Sequence, residues 1–323
     1  MKKVICVMLT ALMTLSLFAG CGPKADDGVI NVAIVQQLDH SSLDEIRLAI
    51  QAELDKTAAE KNLTIEYKHF NGQNDTSILA QIGTQVVSDG YDIIIPIATL
   101  AAQYSVLAAE NTGIPVVYAA ISDPEGAGLT GLPTVTGVSD ALNTPFILDM
   151  MLAAQPDVKT VGLLYSTSEV NSEAPIAEAK AYLDAKGIAY LEKTGTTSGE
   201  IVEAAASMVG RVEAVFTPTD NVVMAAEASV AELLNADGIA HYTGADSFVQ
   251  SGAFTTCGVN YTELGTKVGD MAFEILNGGA IGEFVVMDGG IITVNTDTAA
   301  AIGVDYEVFN TMANTLVTVT TAE

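Results

Sequence analysis

From residue 29 onward, runs of β-branched and apolar residues alternate with stretches whose apolar positions recur every three or four residues. Residues 29–35 read as a strand. Ser42-x-x-Glu45 then has the spacing of a capping box, and Leu43, Ile46, Ile50 and Leu54 share one face of the helix it opens. Strand 64–68, helix 76–88, strand 92–97, helix 100–110 and strand 115–120 follow. The order starts again near Thr144, with strand 160–165, helix 173–186, strand 189–192, helix 200–208, strand 214–216, helix 221–235 and strand 240–243. Two stretches rhyme: Tyr91-Asp92-Ile93-Ile94-Ile95-Pro96 leads to Gly113-Ile114-Pro115, as Glu213-Ala214-Val215-Phe216-Thr217-Pro218 leads to Gly238-Ile239-Ala240. Parallel strands need crossover connections, so this alternation predicts an α/β chain of two similar doubly wound, parallel-sheet lobes with short crossings between them.

In such sheets a ligand binds beyond the carboxyl ends of the strands, which makes the residues after each strand the informative ones. In the first half these are Gln36 and Gln37, His40, Ala98-Thr99 and Ser122-Asp123-Pro124. In the second they are Ser166 to Glu169 with Asn171, then Thr219-Asp220-Asn221, then Ala245-Asp246. Nearly every end carries a hydrogen-bonding side chain, and most are neutral, as in a site that grips a small polar molecule by directional bonds. Thr99, Asn171 and Asp220 stand at helix starts, where they serve equally as N-caps. The two roles are compatible: a helix start at Thr99 would receive a ligand carboxylate, and Asp220 would face a ligand ammonium. Ser122-Asp123-Pro124 also reads as a turn.

Composition narrows the partners. Forty acidic residues against 13 Lys and Arg give a net charge of −27, which repels nucleic acid and anionic lipid surfaces. Met1-Lys2-Lys3, the apolar stretch 4–17 and Leu17-Phe18-Ala19-Gly20-Cys21 have the three regions of a signal peptide, too short to span a bilayer. The Leu-x-Ala-Gly-Cys ending resembles the lipobox of bacterial lipoproteins, which implies cleavage after residue 20 and a diacylglyceryl group on Cys21. Residues 21–28 then form a tether, and the remainder has room for two domains of about 150 residues. Cys6 leaves with the signal, so Cys257 remains alone, without an intramolecular disulfide and in an apolar, strand-like context.

Catalytic constellations are missing. The chain has no Gly-x-x-x-x-Gly-Lys, Gly-x-Ser-x-Gly, His-Glu-x-x-His or Cys-x-x-Cys motif, and His40, His69 and His241 are scattered. Neither a catalytic residue, a metal site nor a cofactor is expected. Trp is absent, and Tyr118, Tyr165 and Tyr261 are the aromatic residues nearest to strand ends.

The runs Ile97-Ala98-Thr99-Leu100-Ala101-Ala102-Gln103, residues 114–124, Val135-Thr136-Gly137-Val138-Ser139-Asp140, Glu169-Val170-Asn171-Ser172 and Pro218-Thr219-Asp220-Asn221 occur in an order that resembles the substrate-binding proteins of ABC importers, of the tryptophan- and tyrosine-receptor type. The resemblance implies a type I periplasmic-binding-protein fold with three hinge strands. It also implies a ligand clamped between the lobes, usually an amino acid and often an aromatic one, and an ABC permease with its ATPase as partners. Its runs add Gln103 and Ser172 to the ligand-contact candidates, beside Glu169 and Tyr261 from the strand ends. Lobe 1 is then expected over 29–140 plus about 258–279, and lobe 2 over 141–257 plus about 280–323. The chain departs from the family pattern at His40-Ser41 and at Leu100, positions where the family carries proline. A sensing receptor of the same fold, a nucleoside-binding receptor and a lipoprotein enzyme are the competing readings.

Overall fold

The computed structural model describes residues 28–322. The expected signal peptide and the Cys21 lipid site lie outside them.

Two sheets organise the chain. The first lobe is built from β1 (Val29–Gln36), α1 (Ser41–Lys61), β2 (Thr64–Asn71), α2 (Thr76–Asp89), β3 (Ile93–Ile97), α3 (Thr99–Ala109), β4 (Val116–Ala119) and β5 (Val135–Ser139). The second continues through α4 (Thr144–Ala154), β6 (Thr160–Ser166), α5 (Glu173–Lys186), β7 (Ala189–Gly195), α6 (Ser198–Ala206), β8 (Ala214–Thr217), α7 (Asn221–Met224), α8 (Glu227–Ala236), β9 (Ala240–Thr243), α9 (Asp246–Gln250) and β10 (Thr255–Gly258). The chain returns to the first lobe as α10 (Tyr261–Leu276) and β11 (Val285–Val286). It ends in the second as β12 (Ile291–Asn295), α11 (Thr296–Ile302) and β13 (Thr315–Val319). Three crossings therefore join the lobes, at 140–143, 259–260 and 287–290. The strand orders are β11-β5-β4-β3-β1-β2 and β13-β12-β10-β9-β8-β6-β7. All pairings are parallel except β10 with β12. Both sheets thus run 2-1-3-4-5 from one edge, the physical content of the rhyme in the sequence. Their order reverses beside β1 and β6, where doubly wound sheets open a crevice for ligand.

Burial explains the elements. Each residue of β3 is buried on both faces, as a central parallel strand under helices requires. One apolar layer joins Val32, Ile34, Ile46, Ile50 and Leu54 to Leu264 and Val268 of α10, and a second places Ala33, Val35 and Ile94 against Leu79, Val86 and Ala101. In the second lobe Leu163, Phe216 and Tyr242 pack on Ile147, Met151 and Leu183.

Three expectations need correction. The capping box does not form: α1 begins at Ser41 behind His40, which is extended and makes no side-chain cap. Ser42 instead turns its hydroxyl to Ser247 of the other lobe, and Glu45 accepts a hydrogen bond from Thr262. The helix expected over 221–235 is broken at Ala225 and Ala226, and the break carries Glu227 into the interior, 3.0 Å from His241 Nδ1. Residues 285–286 pair with β5, so the returning segment of lobe 1 extends past 279. As expected, Pro96 lies within β3; that strand pairs with β4 at Ile94 and at Ile97 and not at the proline, which has no N–H to give.

Candidate functional site

The carboxyl ends of β1, β3 and β4 face those of β6, β8 and β9, and between them lies a narrow cavity. Its wall comes from His40, Ser42, Leu43, Ala98, Thr99, Ala120 and Ser122 of the first lobe, and from Asn171, Thr219, Asp220, Asn221, Met224, Ala245 and Phe248 of the second. Asp140 and Tyr261 stand at the crossings. Local backbone geometry shapes it. Ala98 (φ 73°, ψ 164°) and Ala120 (φ 55°) hold left-handed conformations that non-glycine residues adopt at a cost. The strand-to-helix turn at Ala98 places the amino end of α3 at the cavity. Gly244 is required on the other side, since a Cβ there would come within 2.6 Å of Thr219 N.

Four polar contacts tie lobe to lobe: Gln37 Nε2 donates to Glu169 Oε1 (2.8 Å), His40 pairs with Asn221 Oδ1 (3.0 Å), Ser122 meets Thr219 Oγ1 (2.9 Å), and Ser42 meets Ser247. Gln37 Oε1 also accepts from Leu100 N and so caps α3. Asn221 Nδ2 donates to Glu169 Oε2, so His40 Nε2–H donates to the Asn221 carbonyl. Burial lowers the His40 pKa, which keeps the ring neutral, and its Nδ1 has no partner. Asn171 donates to Thr219 O while its Oδ1 is buried without a partner.

Carboxylates dominate the electrostatics. None of the described residues lining the cavity is lysine or arginine. Burial pushes Glu169 up to about 8, and the neighbouring Asp220 charge adds to the rise. Burial raises Asp220 and Asp140 as well. Asp246, at the start of α9, is pushed to about 6 by burial and by Glu45 across the cleft.

Of the candidates read from strand ends and resemblance, His40, Thr99, Ser122, Asn171, Thr219, Asp220, Asn221 and Tyr261 line the cavity. The other six do not. Gln36 is turned into a knot with Leu38, Asp39, Asp44 and Arg47, and its neighbour Gln37 faces the cleft instead. Gln103 holds Ala127 O, Asp123 closes a turn on Gly126 N, and Ser172 stands behind Asp220. Glu169 is one layer back, and Asp246 lies outside the wall. Strand-end reading missed Asp140, Leu43, Met224 and Phe248. Asp140 follows β5 as the other candidates follow their strands, so the same rule finds it once β5 is recognised.

Two apposed doubly wound lobes, three crossings and a polar cavity at the facing switch points define a two-lobed solute-binding protein of the type I periplasmic-binding-protein fold. The chain belongs to the ABC transporter substrate binding protein family, whose model matches residues 31–312. It is 29% identical to the tyrosine-binding protein of Clostridioides difficile (strain R20291), over 93% of this chain and 92% of that one. Among solved structures it resembles the ABC domain in complex with L-Trp from Streptococcus pneumonia (29% identity, 89% of this chain, 99% of that chain, TM-score 0.82). It also resembles the ligand-free, open structure of a substrate binding protein with adhesive properties from Clostridium difficile (30% identity, 91% and 100%, TM-score 0.68). At nearly the same identity the fit to the tryptophan complex is the better one, in keeping with lobes already joined by four polar contacts.

Proposed function

We propose that this protein is the extracytoplasmic, lipid-anchored receptor of an ABC importer, that it captures an aromatic amino acid between its lobes, and that it catalyses no reaction. The observation that carries the ligand class is the cavity wall. One part is apolar, with Leu43, Met224, Phe248 and the alanines at 98, 120 and 245; the rest offers buried carboxylates, hydroxyls and unpartnered acceptors without a lysine or arginine. An aromatic zwitterion matches both. Burying about 150–250 Å² of ring contributes roughly 4–6 kcal/mol, and the polar groups orient the two charged ends. The amino end of α3 at Thr99 suits the ligand carboxylate through the helix dipole, beside the Leu100 N–H that Gln37 already takes. The tyrosine- and tryptophan-binding relatives support the same class. Cys21 would carry the lipid that keeps the receptor beside its permease. A sensing role would use the same cavity.

The test is calorimetric titration of refolded, ligand-stripped residues 22–323 with each proteinogenic amino acid and with adenosine. Saturable one-to-one binding of tyrosine or tryptophan at micromolar Kd or tighter is expected. Binding of adenosine with no response to any amino acid overturns the ligand class.

A further inference from the structure

Resting on the amino-acid reading above, one question about the cavity is which carboxylate meets the ligand's amine. Asp220 is the obvious choice from sequence, yet its oxygens are occupied. Oδ1 accepts from Val222 N (3.0 Å) and Val223 N (2.9 Å), and Oδ2 accepts from Ser166 N (2.7 Å) and Ser172 Oγ (2.7 Å). Those four donors are protein groups from one lobe, and they leave a carboxylate little capacity for a fifth. Glu169 is spoken for by Gln37 and Asn221 and does not reach the wall.

Asp140 differs on each count. Its Oδ1 accepts from Ser122 Oγ (3.0 Å) and its Oδ2 from Tyr261 OH (3.1 Å), one side-chain donor per oxygen, so acceptor capacity remains on both. It is 5% exposed, and neither lysine nor arginine is among the described residues lining its cavity. A buried carboxylate without a cation is costly, and an ammonium group is the cation that an amino acid brings. The acceptor surplus of the wall points the same way, because Asn171 Oδ1 and His40 Nδ1 are also unpartnered. Position adds a mechanical reason. Ser122 has one proton and gives it to Asp140, so it accepts from Thr219, and a chain of hydroxyls runs from the second lobe through the first to the crossing strand. A cation drawn to Asp140 strengthens that chain and with it the contact between lobes.

We propose that Asp140, rather than Asp220, is the counter-ion for the ligand's ammonium group, and that it sets the receptor's preference for amino acids over the corresponding acids that lack the amine. Burial holds the Asp140 pKa above its ordinary value, in line with a carboxylate awaiting a cation.

The test compares wild type with Asp140→Asn by calorimetric titration of L-tyrosine, L-tryptophan and their desamino analogues, 3-(4-hydroxyphenyl)propionate and 3-(indol-3-yl)propionate. In Asp140→Asn the affinity for the amino acid is expected to fall ~100-fold or more, the usual scale for removing one member of a buried charged pair, with the desamino affinity nearly unchanged. Equal losses for both ligand types, or no loss, overturn the assignment. A crystal structure of the wild-type complex decides the matter independently of how the variant folds. The ligand nitrogen within hydrogen-bonding distance of an Asp140 oxygen supports the proposal; the nitrogen on Asp220 or Glu169 refutes it. Failure of wild type to bind any amino acid would instead strike at the proposed function.

Discussion

Replacing Asp220 with alanine separates a cap from a counter-ion. In the folded protein this side chain accepts three backbone N–H groups and one hydroxyl, all buried. Losing an N-cap of this kind costs about 0.5–2 kcal/mol. Ser166 N–H, left at the end of β6 without an acceptor, adds about 1–3 kcal/mol. Part of this is returned because the buried carboxylate is itself costly, as the burial-driven rise in its pKa shows. A net destabilisation of about 2–4 kcal/mol follows, and for a unit the size of one lobe each kcal/mol lowers Tm by about 2–4 °C. Thermal melting should therefore fall by roughly 4–16 °C. Calorimetric titration below that transition should find the affinity for L-tyrosine or L-tryptophan changed by less than about tenfold, through displacement of α7 alone. A variant that melts like wild type but binds ~100-fold more weakly would show that the four hydrogen bonds are incidental and that Asp220 pairs with the ligand.

Glu169→Gln should alter the pH dependence of stability. The folded protein holds the Glu169 proton up to about pH 8 whereas the free side chain releases it near 4.5, so between those values wild type loses stability as pH rises, by at most ~1.4 kcal/mol per unit. Asp140, Asp220 and Glu227 contribute with the same sign; the difference between variant and wild type isolates Glu169, and Tm of the variant relative to wild type should climb from pH 5.5 to 8. A pH-independent difference would contradict this. Ala98→Gly relieves left-handed strain of about 1–3 kcal/mol and loses about 0.5–1 kcal/mol to chain entropy, so it should raise Tm slightly; a clear fall would count against strain at that turn. Cys21→Ala should move the protein from the membrane to the soluble fraction with ligand affinity unchanged, and its retention on membranes would exclude the lipid anchor.

Much of this architecture is legible in the chain because the determinants are local. The β3 run is apolar at every position since both faces are covered, and the recurrence of strand-helix-strand in each half declares two sheets of one topology. What local pattern does not carry is choice among neighbours. Gln36 and Gln37 have the same chemistry, and only the course of the chain after β1 decides which of them faces the cleft. Asp220 reads correctly as a strand-end acid, but its four donors come from residues 166 to 223, a convergence no spacing rule reveals. The helix expected over 221–235 looks continuous because Glu227 and His241 each seem ordinary surface residues until the fold buries them against one another. Ser42 carries a capping signature, and the partner that overrides it lies some two hundred residues away on the other lobe.

The path of the chain through three crossings also bears on when the protein is able to fold. Helix α10 covers the same apolar face as α1 although more than two hundred residues separate them, and β11 completes the first sheet later still. The amino-terminal lobe therefore lacks one wall of its core until residue 286 has emerged, and contacts closing so long a loop form slowly. A nascent chain of 140 residues has all five early strands and no way to bury Ile46, Ile50 and Leu54 under Leu264 and Val268. Topology alone thereby delays closure of the amino-terminal core until most of the chain has been made.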